Sequence, residues 1–125
     1  MTGRYQRFFA ALFALVATAL ILGNHAMAQT PARVGGVWDT TWGGGRAVLE
    51  LTQAGSAVTG TYSGTTEGKV KGTLAGNVLT GNWAGAANDS GSFVLRFSAD
   101  GASFTGTWGM GGSKTDGGPW VGARK

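Results

Sequence analysis

The chain has 125 residues, a formal net charge of +4 and no cysteine. The absence of cysteine excludes disulfides, thiol catalysis and a lipid anchor on a cysteine. The 10 basic residues form no cluster of the kind that binds nucleic acid, and a chain of this length holds one small domain.

The start of the chain has the pattern of an export signal. Arg4 and Arg7 precede an apolar run over residues 8–22, and "AMA" at residues 26–28 offers the small side chains that signal peptidases accept. The run of 15 residues is shorter than the ~20 that a membrane-spanning helix needs. We therefore expect a signal peptide over residues 1–28, removed from the mature protein.

Cleavage after Ala28 releases a periplasmic or secreted protein of bacterial type. In it, residues 29–34 are predicted to be a linker and residues 35–125 a folded domain, with no membrane insertion and no nucleic-acid partner. The only histidine, His25, is lost with the signal. Its loss excludes Ser-His-Asp triads and the usual zinc ligands, so we expect neither an enzyme, nor a cofactor, nor a metal.

Alternation of apolar and polar residues predicts that the released chain is all-β. In "AVLELT", for example, Ala47, Leu49 and Leu51 form one apolar face. Glycine-rich turns separate the alternating runs. The predicted strands cover residues 36–42, 46–52, 57–62, 69–74, 78–83, 92–98, 103–108 and 118–124.

The chain repeats its pattern after 46 residues: "TGTY" at residues 59–62 returns as "TGTW" at residues 105–108. Glycines and apolar positions keep this register over both halves, which predicts a duplicated four-stranded unit. Two such units can close into an eight-stranded antiparallel up-and-down β-barrel without free edges. An open sandwich is the alternative. A membrane barrel is disfavoured because Arg46, Glu50 and Arg96 would face lipid.

Several predicted inner faces have the form apolar–Gly–apolar, as in Val58-Gly60-Tyr62. Glycine weakens a strand, so we expect it either to allow sharp coiling or to leave room for a neighbouring ring. The interior has almost no polar group. A functional site is therefore expected at one mouth of the barrel.

The longer loops fall at one end of the predicted meander, and most of the large aromatic residues fall there too. Trp42, Tyr62, Trp83 and Trp108 each finish a strand that leads into this end, and Trp120 begins the last strand nearby. This pattern predicts an aromatic mouth that binds a small molecule or a glycan. The alternative is an aromatic plug in a filled barrel with a structural or protein-interaction role, as an inhibitor or envelope component.

Three acidic residues, Glu67, Asp89 and Asp116, lie in the loops at the same end, with Lys114. Paired carboxylates could serve a glycosidase. Aspartate is, however, a common turn residue, so no catalytic residue is predicted.

Two stretches resemble the avidin and streptavidin family. "GVWDTTWG" at residues 36–43 is similar to its first strand, which opens with Gly-x-Trp, and "VTGTYSG" at residues 58–64 is similar to its third strand. The resemblance implies an exported, lipocalin-like barrel that binds a small apolar or amphipathic ligand, as that family binds biotin. "WGMGGSKTDGGPWVGAR" at residues 108–124 is similar to the Trp-Gly-Gly loops of cyanobacterial high-mannose lectins.

The avidin resemblance also implies roles for particular residues. Thr40 and Trp42 stand where the family has first-strand ligand contacts, and Tyr62 where it has a ureido-binding tyrosine. Trp83 and Trp108 stand among its wall rings. The candidate ligand-binding residues are Thr40, Trp42, Tyr62, Trp83, Trp108 and Trp120. The ligand, the partner and the oligomeric state are left open.

Overall fold

A computed structural model of the protein describes residues 31–125, so the predicted signal peptide, Gln29 and Thr30 lie outside the described residues. The strands are β1 (Gly36–Trp42), β2 (Gly45–Ala54), β3 (Ala57–Gly64), β4 (Gly68–Ala75), β5 (Val78–Gly85), β6 (Ser90–Phe97), β7 (Ser103–Met110) and β8 (Gly118–Arg124). A single 3₁₀ turn, Ala86–Asn88, joins β5 to β6. No helix within the described residues has the length and apolar character that spanning a membrane requires.

The eight strands form a closed antiparallel barrel in chain order. Each strand pairs with the next, and β8 returns to pair with β1, where Trp42 lies opposite Trp120 and Trp38 opposite Arg124. This confirms the predicted all-β up-and-down barrel, and the open sandwich is wrong. The duplication of a four-stranded unit stays a prediction.

The core fills the interior of the barrel and follows the predicted alternation. In β2, Ala47, Leu49 and Leu51 are buried, whereas Arg46 and Glu50 are exposed. The largest fully enclosed apolar side chains come from six different strands and from the segment before β1. They are Val34, Trp38, Leu49, Val58, Leu79, Phe93, Leu95, Phe97 and Phe104.

The glycines inside the strands leave room for neighbouring atoms, which is one of the two purposes that the sequence suggested; sharp coiling stays a prediction. A Cβ on Gly122 would collide with the ring of Phe104, so glycine leaves room for a neighbouring side chain. A Cβ on Gly106 would collide with the carbonyl oxygen of Val94, so the two strands also approach closely there. These contacts explain why apolar–Gly–apolar faces recur in a narrow barrel.

The strands extend further toward the loops than the sequence predicted. β3 runs to Gly64 rather than to residue 62, and β5 runs to Gly85 rather than to residue 83. β6 begins at Ser90, two residues before its predicted start. Backbone pairing continues through glycine, alanine and serine, which give no hydropathy signal, so the barrel wall is taller and its loops are shorter than expected.

The segment predicted as a linker over residues 29–34 packs against the barrel from Pro31 onward. Val34 is fully buried, and its N–H donates to Oε1 of Gln53 at 2.8 Å. The Gln53 amide in turn donates to the carbonyl of Ala32, 2.8 Å away. Ala32 N–H donates to the carbonyl of Gly76 at 2.9 Å. This segment therefore belongs to the domain and covers one end of the barrel, which we call the closed end.

Candidate functional site

The opposite end of the barrel, which we call the mouth, contains a cavity of about 310 Å³. It is lined by Trp42, Tyr62, Thr66, Trp83, Gly85, Ala86, Ala87, Asp89, Trp108, Met110 and Trp120. Five of the six candidate residues from the sequence are in this set, although they come from five different strands. The closed meander brings them together because each stands at the mouth end of its strand.

Trp120 joins the cavity to the core. Only 6% of it is exposed. Its ring packs edge-on against Phe93 and Phe104, with centroid distances of 5.8 Å and 6.2 Å. Tyr62 contacts the same indole at 6.3 Å. Perpendicular aromatic pairs of this kind are favourable, so Trp120 is held by rings on several sides.

Trp83 and Trp108 form one wall of the cavity. Their rings are nearly perpendicular, at 78°, with centroids 5.8 Å apart. Each lies over a glycine of the neighbouring strand or loop: a Cβ on Gly91 would meet Trp83, and a Cβ on Gly117 would collide with Trp108. The position of this wall therefore depends on two glycines that leave space for large rings.

The indole N–H groups of the cavity differ in their hydrogen bonding. Nε1 of Trp83 donates to the carbonyl of Gly109 at 3.0 Å. Nε1 of Trp108 and Nε1 of Trp120 are both buried, and no acceptor within residues 31–125 reaches either of them. An indole N–H is a donor only, and leaving a buried donor unpaired costs about 1–3 kcal/mol. The aromatic packing at the mouth therefore encloses two hydrogen-bond donors that have no acceptor in the described part of the chain.

Tyr62 and Asp89 add a polar side to the cavity. Burial raises the pKa of the Tyr62 phenol, and the negative charge of Asp89 raises that pKa further. The phenol oxygen lies against Gly68 and is 3.3 Å from the place where a Cβ on Gly85 would stand. Tyr62 thus stays protonated at neutral pH and can donate or accept a hydrogen bond.

Thr40 is the one candidate residue that does not line the cavity. It is 2% exposed, and its hydroxyl donates to the carbonyl of Ala47 at 2.9 Å. Thr40 faces inward one alternate position deeper than Trp42 on β1, where the neighbouring strand supplies its partner. Its hydroxyl therefore serves the packing of the barrel interior.

Of the three loop acids, only Asp89 lines the cavity. Asp116 instead holds its own loop, since its Oδ1 accepts the N–H of Met110 at 2.9 Å. Within the described part of the chain, no three histidine, aspartate or glutamate side chains gather in one place. The acids thus do not form a common group at the mouth.

The sequence did not single out five lining residues, Thr66, Gly85, Ala86, Ala87 and Met110. Most lie at the end of β5 and in the following loop, where Ala87 and Asn88 adopt positive φ angles of 57° and 64°. This conformation is unfavourable for residues other than glycine and folds the loop beside the rim. "AGAANDSG" indicated a loop here, but small residues give no sign of which way a loop bends.

Comparison with known proteins adds no relative of this chain. No protein-family model, no curated protein and no solved structure matches it. The resemblance to avidins consequently rests on the two stretches quoted above, and the functional argument rests on the geometry of the mouth.

Proposed function

We propose that the protein is an exported, non-enzymatic binding protein that takes a small molecule or one sugar unit into the mouth of its barrel. The observation that carries this proposal is the cavity of about 310 Å³ bordered by five aromatic side chains. Ligand pockets usually measure about 300–1,000 Å³. The volume therefore suits a ligand of one or two rings.

The chemistry of the lining supports the same proposal. Small-molecule sites are mostly apolar, with a few polar groups that orient the ligand. Here the tryptophan rings offer flat surfaces for an aromatic ring or for the C–H face of a sugar. Tyr62, Thr66 and Asp89 supply the polar groups. This combination favours an amphipathic ligand over a purely apolar one.

The second candidate function is a structural or protein-interaction role with no small ligand. The packing of Trp83 against Trp108 favours it, because such a pair stabilises a small barrel whether or not a ligand is present. The cavity weighs against it, since a well-packed plug would leave none. Loss of stability and loss of binding separate the two functions.

The test is a titration of tryptophan emission with a panel of small molecules that includes biotin, mono- and oligosaccharides and small aromatic amides. We expect at least one compound to change the emission saturably, with one site per chain. Trp83→Ala and Trp108→Ala should abolish that change. Val37→Ala, on the outer surface of β1, is the control and should retain it.

A different result would support the structural role. In that case no compound of the panel would alter the emission, while Trp83→Ala and Trp108→Ala would still lower the free energy of unfolding. Export is tested separately: the protein recovered from outside the cytoplasm should begin at Gln29, and a mass that includes residues 1–28 would contradict it.

A further inference from the structure

We propose that the mouth selects organic cations, that is, ligands in which an ammonium group is attached to a ring or to another small apolar group. The apolar part of such a ligand lies among the tryptophan rings, and the ammonium group lies at the rim beside the Asp89 carboxylate. This inference rests on the proposed function, because it names the class of ligand for the same cavity. It does not follow from the aromatic lining alone, which would also accept a neutral ring.

The first observation is the charge of the lining. Among the described residues that line the cavity, Asp89 is the one that is charged at neutral pH. The lining therefore offers a carboxylate but no ammonium or guanidinium group. A cationic ligand gains an opposite charge there. An anionic ligand meets a like charge and loses hydration without compensation.

The second observation is the position of Asp89. Its N–H donates to the carbonyl of Ala86 at 3.1 Å, and its carbonyl accepts the N–H of Gly85 at 2.8 Å. These two bonds close the loop after β5 and hold the Asp89 backbone beside the cavity. The negative charge reaches the cavity, since it raises the pKa of the Tyr62 phenol, another part of the lining. Asp89 is exposed, so water screens its charge and the expected selectivity is moderate.

The third observation is the surface that the tryptophans present to a ligand. Trp42, Trp83 and Trp108 are half-buried. The N–H of Trp83 is used by the carbonyl of Gly109, and Nε1 of Trp108 is enclosed. A ligand therefore meets mainly ring carbon on these two indoles. The face of an indole ring carries partial negative charge and attracts cations, so the rings and the carboxylate favour the same class of ligand.

Three compounds of nearly equal size separate the effect of charge: benzylammonium is cationic, benzyl alcohol is neutral and benzoate is anionic. Their affinities at neutral pH can be measured by NMR from the indole ¹⁵N–¹H cross-peaks, of which the five tryptophans give five. We expect benzylammonium to bind about threefold to tenfold more tightly than benzyl alcohol and benzoate to bind most weakly. The cross-peak of Trp38, which is bonded to Val34 at the closed end, should not shift.

Two matched variants test whether Asp89 causes the preference. Asp89→Asn removes the charge of the lining with little change in shape, so the affinity ratio of benzylammonium to benzyl alcohol should fall severalfold. Glu67→Gln makes the same kind of change in an exposed loop residue at the same end that does not line the cavity. It should leave the ratio near the wild-type value. Because both variants change the net charge equally, they separate the local carboxylate from the overall field of the protein.

A salt titration of the wild-type protein tests the same point without a substitution. Raising the ionic strength from about 0.01 M to about 1 M shortens the screening length from about 30 Å to about 3 Å. The affinity for benzylammonium should then fall severalfold, whereas that for benzyl alcohol should stay nearly constant. An affinity for benzylammonium that does not respond to salt would contradict a contribution from the Asp89 charge.

The outcomes distinguish this inference from the proposed function. Equal binding of benzylammonium and benzyl alcohol, or tightest binding of benzoate, overturns the preference for cations while leaving a ligand-binding mouth. An equal fall of the ratio in Asp89→Asn and Glu67→Gln overturns the role of Asp89. Failure of benzylammonium to bind when a compound of the emission panel does bind also overturns the preference for cations. If no compound of either set shifts a cross-peak of the mouth, both proposals are overturned.

Discussion

The two ends of the barrel use tryptophan in different ways. At the closed end, Trp38 is fully buried, its Nε1 donates to the carbonyl of Val34 at 3.0 Å, and the Arg124 guanidinium lies 4.4 Å from its ring centroid. At the mouth, Trp108 and Trp120 border a cavity and their N–H groups have no acceptor within residues 31–125. The indole N–H is thus hydrogen-bonded by the chain at the closed end, whereas at the mouth those of Trp108 and Trp120 have no acceptor among the described residues.

Arg124 extends this contrast. Its Nε, Nη1 and Nη2 donate to the carbonyls of Gly101, Gly35 and Arg33 at 3.0, 2.7 and 2.9 Å. A single guanidinium therefore ties the last strand to the chain that precedes the first one. The indole N–H of a tryptophan stabilises the barrel where the chain supplies an acceptor, as for Trp38, and it adds no such bond where the described chain supplies none, as for Trp108 and Trp120. The number of aromatic rings alone does not reveal which case applies.

The largest expected effect comes from breaking the closed end. Trp38→Ala should lower the free energy of unfolding by about 3–5 kcal/mol, since it opens a cavity in the core. Trp42→Ala changes the mouth end of the same strand, where the side chain is only half-buried, and should cost less than half as much. Urea unfolding measures both. Equal losses would mean that the mouth is as much a part of the core as the closed end.

Substituting Gly117 tests how rigid the mouth wall is. Gly117→Ala places a methyl group against the Trp108 ring, which should destabilise the barrel by about 1–3 kcal/mol and turn the indole. Gly112→Ala in the same loop is the control, because a Cβ there meets no atom within 4 Å. Thermal unfolding and near-ultraviolet circular dichroism report the two effects. A neutral Gly117→Ala would show that Trp108 moves freely.

Changing Arg124 to lysine tests whether the shape of the guanidinium group, and not only its charge, stabilises the closed end. The planar guanidinium reaches three carbonyls and lies over Trp38, which an ammonium group cannot reproduce. We expect Arg124→Lys to lose about 1 kcal/mol, because the side chain is exposed and the cation–π contribution is correspondingly small. Chemical denaturation of the two proteins measures the loss. If Arg124→Lys is as stable as wild type, the positive charge alone accounts for the contribution of Arg124 to stability.

The smallest expected effect is a pH dependence of the free energy of unfolding, which comes from Tyr62 at the mouth. The pKa of Tyr62 is raised in the folded protein, so its contribution to stability is complete below the ordinary pKa of 10.0. That contribution is lost as the pH rises from there through the folded-state pKa. The difference in unfolding free energy between wild type and Tyr62→Phe should therefore be constant at lower pH and change only above about pH 10. A difference that already changes with pH around neutrality would contradict the direction of the shift.

Much of the fold could be predicted because its cause is local. Alternation in runs such as Ala47-Leu49-Leu51 identified every strand, and closure followed from eight strands with short turns. The strand ends were not predictable, since pairing through Gly64 and Gly85 depends on the neighbouring strand. The docking of residues 31–35 was also missed, because Val34 is held by Gln53, which lies 19 positions away in a turn-like stretch.

Five of the six candidate residues could be placed at the mouth, because each stands near a strand end and the meander fixes which ends lie together. Thr40 does not line the cavity, and the resemblance that suggested its role gave no sign of the Ala47 carbonyl to which its hydroxyl donates. The sequence could not predict that the N–H groups of Trp108 and Trp120 have no hydrogen-bond acceptor in the described part of the chain. This depends on ring orientation and on which carbonyl lies nearby, as the bond between Trp83 and Gly109 illustrates.

The central claim, that the mouth and not the closed end binds a small molecule, is tested most directly by native mass spectrometry of two matched variants. Ala86→Trp places a large ring on the cavity lining, and Ala75→Trp makes the same change at an exposed position at the opposite end. With a compound that changes the tryptophan emission, wild type and Ala75→Trp should carry one ligand per chain and Ala86→Trp none. Equal adducts on both variants would contradict the claim.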